Sequence, residues 1–247
     1  MMILDAKRTE KITLNQKQFK VYTTENEIKR IKREKRYSTW FLKVCDIIKP
    51  TDVVIEVGSY IGLQTLYLAD HCQHIYAFEP FRLSFDLLKS NILSSNQTNI
   101  TISKLAIGLY TSTSILQMFI PKTTNDTTFF NKASLTSTGN SEKKIQNSVI
   151  THKLDDFMHI SPFPTVIFVD IDNYKDTLNI LESATEMIKQ FRPKFIIKNI
   201  EKFQTNRIEK ELNKNDPQIL HQFKYVYTLI NKEDPYYILS VDNHGEL

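Results

Sequence analysis

The apolar positions change period several times along the chain, and each change marks an element. Between Lys11 and Thr23, Ile12 and Leu14 alternate with polar neighbours, Asn15-Gln16 interrupts, and Phe19 and Val21 resume the alternation, which predicts a short β-hairpin. Ile28, Ile31, Trp40, Phe41, Val44, Ile47 and Ile48 then recur at mixed spacings of three and four. This predicts helices between Glu25 and Ile48, broken near Tyr37-Ser38-Thr39 and stopped at Pro50. Asp52 to Val57 is a run of β-branched residues containing Glu56, the pattern of a strand buried on both faces of a sheet. A glycine turn follows, then a short helix carrying Leu63, Leu66, Tyr67 and Ala69, and a second strand, Ile75 to Phe78, ending at Glu79. Pro80 suits the first turn of a helix with Phe81, Phe85, Leu88 and Ile92 on one face, and Ile100 to Leu105 is expected to form a third strand.

From Thr111 to Gln146 the chain is rich in Thr, Ser and Asn around islands at Ile115-Leu116 and Met118-Phe119-Ile120, which predicts one or two strands separated by a long polar loop. Regular signals return at Val149 to Lys153. They continue as a buried strand at Thr165 to Val169 ending in Asp170 and Asp172, a helix from about Asp176 to Gln190, and a strand at Phe195 to Ile200. A polar helix, Glu201 to Leu212, and a hairpin of Tyr225 to Ile230 with Tyr236 to Val241 close the pattern. Strands alternating with helices at this spacing imply a doubly wound α/β fold with a mostly parallel sheet, an antiparallel C-terminal hairpin and an N-terminal extension of hairpin and helix. The expected division is residues 1–49 for the extension and 50–247 for the α/β domain.

Composition narrows the classes of function. Hydrophobic side chains make up 41% and charged ones 24%, enough to close a core beneath a hydrated surface. Cys45 and Cys72, far apart, offer neither a disulfide framework nor a paired zinc knuckle, and a reducing, cytoplasmic setting is the expectation. The opening residues carry no signal-peptide pattern and no apolar run approaches a membrane span. Net charge is only +4, so charge alone selects no partner. Lys29, Arg30, Lys32, Arg33, Lys35 and Arg36 are concentrated in one stretch that reads either as a solvated helix face or as a site for an anionic partner such as nucleic acid.

In a doubly wound fold, ligands bind outside the carboxyl ends of the strands. There the chain reads Glu56-Val57-Gly58-Ser59-Tyr60-Ile61-Gly62, and Glu79 follows about 20 residues after Gly58, where a carboxylate can accept ribose hydroxyls. A dinucleotide loop wants G-x-G-x-x-G, but Tyr60 and Leu63 occupy its second and third glycine positions, which disfavours NAD. The looser spacing suits S-adenosylmethionine, which has no pyrophosphate to cradle; a tight turn with no ligand is the bland alternative.

On these residues the sequence resembles the FkbM-type S-adenosylmethionine-dependent methyltransferases. Asp52 to Gly62 is similar to that family's D-V-V-I-D-V-G-A-N-I-G. Tyr76-Ala77-Phe78-Glu79-Pro80 with Leu87 to Ile92 resembles its second-strand block, and Ala106-Ile107-Gly108 and Leu154-Asp155-Asp156 match weaker landmarks. The resemblance implies a class I, Rossmann-like methyltransferase fold. It implies that Glu56, Gly58, Ser59, Tyr60, Gly62, Glu79 and Pro80 surround the cofactor, with Ala106 near the adenine. The implied reaction is O-methylation of a small acceptor, often a sugar or other metabolite.

The family's K-I-D-V-E-G is here Asp170-Ile171-Asp172-Asn173-Tyr174-Lys175, which keeps the aspartate at Asp172. Asp170 or Asp172 could accept the hydroxyl proton. The same run, with Asn199, also suggests a divalent-metal site of the catechol-methyltransferase kind, or simply acids capping the next helix. The altered motif keeps open a cofactor-binding protein without catalysis. His71-Cys72-Gln73-His74 reads as a turn before a strand, and Asp155 and Asp156 read as caps of the turn at Phe157. Signatures of nucleophile-elbow hydrolases, P-loop enzymes and zinc proteases are missing, as is the Pro-Pro-aromatic motif of amino-directed nucleic-acid methyltransferases.

Overall fold

The structure, a computed structural model, describes residues 8–14, 17–34, 46–110, 112–121, 142–171, 173–198, 228–233 and 236–240. β1 (Arg8–Leu14) and β2 (Lys17–Thr23) form the expected hairpin, with Ile12 opposite Phe19. Ile12, Leu14, Phe19 and Val21 are buried while Lys11, Thr13 and Lys20 are exposed, as the alternation requires. α1 (Glu25–Glu34) starts at Thr24, whose hydroxyl accepts from the Glu27 amide at 3.3 Å. The break expected near Tyr37 lies outside the described residues.

β3 (Val53–Val57), α2 (Leu63–Ala69) and β4 (His74–Phe78) follow as read from the sequence. α3 spans Arg82–Leu93, so Pro80 precedes the helix instead of opening it. Its buried face also differs from the expected one. Ser84, Leu87, Leu88 and Asn91 point inward, whereas Phe85 and Ile92 are half-buried, because Asn91 is turned in to hydrogen-bond the backbone of two other segments.

The third strand is divided: β5 (Ile100–Ser103) stays in the main sheet, and β6 (Ala106–Ile107) joins a second, three-stranded sheet with β7 (Ser112–Pro121) and β8 (Glu142–His152), in the order β6-β8-β7. The polar stretch between β7 and β8 lies outside the described residues. A 3-10 turn, Leu154–Phe157, leads to β9 (Val166–Val169).

The single helix expected after β9 is two, α4 (Tyr174–Glu182) and α5 (Thr185–Phe191). The break at Ser183-Ala184 serves the 3-10 turn: Ser183 Oγ accepts from the Leu154 amide at 3.1 Å and the Ser183 carbonyl accepts from the Asp155 amide at 3.0 Å. Asp155 in turn accepts from the amides of Glu186 and Met187, capping α5 and not the turn in which it stands, while Asp156 accepts from the Lys153 amide as a cap of that turn.

β10 (Lys194–Lys198), β11 (Thr228–Glu233) and β12 (Tyr236–Ser240) complete a seven-stranded sheet in the order β11-β12-β10-β9-β3-β4-β5. β5, β4, β3, β9 and β10 are parallel, and β12 runs antiparallel to both β10 and β11. The expected polar helix, Glu201 to Leu212, lies outside the described residues.

The sheet is covered on both sides, the doubly wound arrangement the pattern predicted. Alternate residues of its strands divide between two cores. Val54, Ile75, Val166, Phe168 and Ile196 face α2, α3 and the N-terminal hairpin, whose Ile12, Leu14, Phe19 and Val21 belong to the same cluster. Ile55, Val57, Ile167, Val169, Phe195 and Ile197 face Ile180, Leu181, Met187 and Ile188 of α4 and α5, with Leu154 and Ile107. No helix among the described residues is long and apolar enough to cross a membrane.

Candidate functional site

The central strands end on one edge of the sheet, and the residues that follow them build a compact group of backbone donors and carboxylates. After β3 the chain turns through Gly58 (φ +91°), Tyr60 (φ +51°) and Gly62 (φ +82°), three left-handed residues in five. The amides of Gly58 and Ser59 both donate to the Phe78 carbonyl, at 3.0 and 3.1 Å, and the Gly62 amide donates to the Ser59 carbonyl at 2.8 Å. Gly58 is required for space as well as for φ. A Cβ there would lie 2.7 Å from the Asp170 carbonyl oxygen, and one on Gly62 would lie 2.4 Å from Leu88 Cδ1.

Glu79, past the end of β4, holds this loop from the other side. Its Oε2 accepts from the Tyr60 amide and its Oε1 from the Phe81 amide, both at 2.9 Å. A carboxylate has about four lone-pair sites, so each oxygen keeps acceptor capacity for a further donor. Burial raises its pKa to about 7 against the pull of those two amides. Pro80, half-buried, separates Glu79 from the buried Phe81.

Glu56 lies inside the fold beneath the loop. Thr65 of α2 donates to its Oε2 at 2.6 Å, whereas Oε1 is buried with no hydrogen-bond partner among the described residues. Burial raises this carboxyl to about 7, opposed by the hydroxyls of Thr65 and Ser59 and reinforced by the charges of Asp170 and Glu79. Ser59 is buried, its hydroxyl 3.4 Å from the Glu56 carbonyl. Asp170, at the end of β9, is buried too, and its amide donates to the Val57 carbonyl at 3.0 Å. Three adjacent strands therefore deliver three buried carboxylates to one place. Such a group favours a cationic or hydroxyl-bearing ligand, since either would supply what desolvation has removed.

The structure thus brings together Glu56, Gly58, Ser59, Tyr60, Gly62, Glu79 and Asp170. Ala106 sits on the second sheet just past the end of β5, buried and paired with Thr151. Asp172 and Asn199 lie outside the described residues. Asn173 is the cap of α4, accepting from the Asp176 amide at 3.1 Å. The histidines of the His71–His74 segment go to separate partners, His71 to the Tyr67 carbonyl and His74 to the Thr101 hydroxyl. Among the described residues no group of three His, Cys, Asp or Glu is placed to hold a metal ion.

Three residues around the loop escape a sequence reading. Thr65 carries no signal at all. Asn91 is a polar residue in the buried stripe of α3; its side-chain amide donates to the carbonyls of Ile61 and Tyr22, at 2.6 and 3.2 Å, and its Oδ1 accepts from the Tyr22 amide. Glu27 is buried on α1 and accepts from the Tyr60 hydroxyl at 3.1 Å. The pattern Thr24-x-x-Glu27 marks a helix start, and it draws attention to capping instead of to a long-range contact.

The family profile of the methyltransferase FkbM domain matches residues 56–233. No curated protein matches the chain. Among solved structures, the fold is similar to a methyltransferase FkbM from Methylobacillus flagellatus, with 14% identity, a TM-score of 0.47, and 79% of this chain and 44% of that one covered. The chain therefore spans less than half the length of that protein. An rRNA methylase from Streptococcus thermophilus is similar at 9% identity and a TM-score of 0.44, over 82% of this chain and 94% of that one. TrmK of M. capricolum, solved with S-adenosylhomocysteine, is similar at 11% identity and a TM-score of 0.42, over 84% and 69%.

Proposed function

Because the chain belongs to the methyltransferase FkbM domain family, we propose that it is an S-adenosylmethionine-dependent methyltransferase acting on a hydroxyl of a small, carbohydrate-like or other metabolite acceptor. The observation that carries the cofactor is the loop Glu56–Gly62 with Glu79: a strained glycine turn facing two buried carboxylates, one with an oxygen lacking a partner among the described residues. When bound, the cofactor supplies an activated methyl group on a sulfonium, which a nucleophilic oxygen takes up. Glu79 has lone pairs left to receive the ribose hydroxyls. The free oxygen of Glu56 suits the ammonium of the methionyl end, and the loop backbone at Gly58 and Ser59 shapes the passage between them. Pro80 and Ala106 border the adenine side in this reading.

In this reading Asp172 or Asp170, the latter buried at the end of β9, receives the acceptor's proton. Positioning the acceptor oxygen in line with the methyl group carries much of the rate in such a transfer, so a modest base suffices. In this proposal residues 1–49 are an extension that serves the domain of residues 50–247, the setting is cytoplasmic, and no metal is required.

The test is calorimetric titration with S-adenosylmethionine, S-adenosylhomocysteine and NAD, followed by a screen of hydroxylated acceptors. Micromolar binding of the first two, lost in Glu56→Gln, is the expected result. Saturable binding of NAD alone would overturn the cofactor assignment. Binding without turnover on any acceptor would favour a cofactor-binding protein over an enzyme.

A further inference from the structure

We propose that Glu27 of α1 is a positioning residue for the cofactor loop, holding Tyr60 by its hydroxyl and with it the left-handed turn that faces Glu79. The inference rests on the reading of Glu56–Gly62 as the cofactor loop. Tyr60 is the only non-glycine residue of that loop with a positive φ, a conformation that costs a β-carbon-bearing residue on the order of 1 kcal/mol and must be held from outside. It is held at both ends. The amide goes to Glu79 Oε2 at 2.9 Å and the hydroxyl to Glu27 Oε2 at 3.1 Å.

Glu27 itself is 1% exposed on a helix whose Glu25 and Lys29 pair in solvent. A carboxylate withdrawn from water in this way needs strong donors, and the phenol is one. The next loop residue is tied to the same N-terminal segment, since Asn91 bridges the Ile61 carbonyl to the backbone of Tyr22. Two consecutive loop residues are thus tethered to Tyr22–Glu27, one directly and one through α3. The N-terminal segment sets the shape of the loop without needing to touch what the loop binds.

The experiment compares Tyr60→Phe, Glu27→Ala, Glu27→Gln and the double variant Tyr60→Phe/Glu27→Ala. It reads S-adenosylhomocysteine affinity by calorimetry and, without ligand, hydrogen exchange of the Tyr60 and Ile61 amides. Tyr60→Phe and Glu27→Ala should each weaken binding about tenfold and speed exchange by a similar factor, the scale of one hydrogen bond to a charged group. Glu27→Gln, which keeps an acceptor oxygen, should recover most of the loss, and the double variant should be no worse than Tyr60→Phe. Wild-type affinity and exchange in Tyr60→Phe, additive losses, or a Gln variant no better than the Ala variant would each overturn the inference. Tyr60→Phe removes one hydroxyl only, so it decides the matter should Glu27→Ala fail to fold. If the unaltered protein binds no S-adenosylhomocysteine, the functional reading fails, and the exchange rates still decide whether Glu27 braces the turn.

Discussion

Glu56 and Glu79 share one electrostatic situation: both are buried, and both carboxyls titrate near 7 instead of near 4.5. Between those values the folded state holds protons the unfolded chain has released, so the contribution of these groups to stability falls as pH rises. The free protein should therefore lose stability between about pH 4.5 and 7, and thermal melts across that range check it. A cationic ligand favours the ionised carboxylates and expels those protons. S-adenosylmethionine binding at pH 6.5 should release protons, visible as a binding enthalpy that changes with the ionisation enthalpy of the buffer; an enthalpy independent of buffer would contradict the raised values. The two glycines are expected to differ. Gly58→Ala meets a backbone carbonyl oxygen that cannot move without disturbing β9, whereas Gly62→Ala meets the end of the Leu88 side chain. Both carry the left-handed penalty of about 1 kcal/mol, so melting should show Gly58→Ala as the more destabilising, with cofactor affinity lost alongside. The sequence already marked these positions, since an acid and two glycines at a strand end have few other uses. The left-handed φ of Tyr60 could not be foreseen from its identity, because it is imposed by Glu79 and Glu27 from elsewhere in the chain.

At the scale of elements, legibility followed periodicity. β3, β9 and α2 were plain because each is a short run buried throughout, and β4 because its buried Ile75, Ala77 and Phe78 stand directly before Glu79. What periodicity missed were polar residues that join one element to another. α3 is turned so that Asn91 faces inward, and an apolar count assigns its face to Phe85 and Ile92 instead. Asn91→Asp keeps an acceptor for the Tyr22 amide and removes both donated bonds. It should cost about 2–4 kcal/mol in denaturant unfolding and loosen the hairpin amides first, whereas Asn91→Leu should lose all three bonds with the packing volume retained. Similarly, the α4–α5 break exists to receive the Leu154–Phe157 turn, a relation between distant segments that no local pattern encodes. Asp155→Ala should cost about 1 kcal/mol as a lost cap of α5, and an effect within a few tenths of zero would remove that role.

For the molecule as a whole, the N-terminal hairpin belongs to the same core as the sheet. Ile12, Leu14, Phe19 and Val21 are each buried, and at about 1.5–3 kcal/mol per large apolar side chain their loss approaches the net stability of a whole domain, about 5–15 kcal/mol. A variant lacking residues 1–23 should fail to show a cooperative melt, and the full chain should unfold in one transition by near-ultraviolet and far-ultraviolet dichroism alike. An independent early transition for the hairpin would contradict a shared core. The position of β12 between β10 and β11 has a consequence for how the chain is made. β11 emerges from the ribosome before the strand that links it to the sheet, and β10 remains an unpaired edge until residue 240 is clear of the exit tunnel. Until β12 is made, about forty residues after β10, the five-stranded sheet therefore presents the outer side of β10 as an open border, the kind of strand edge that pairs with other chains.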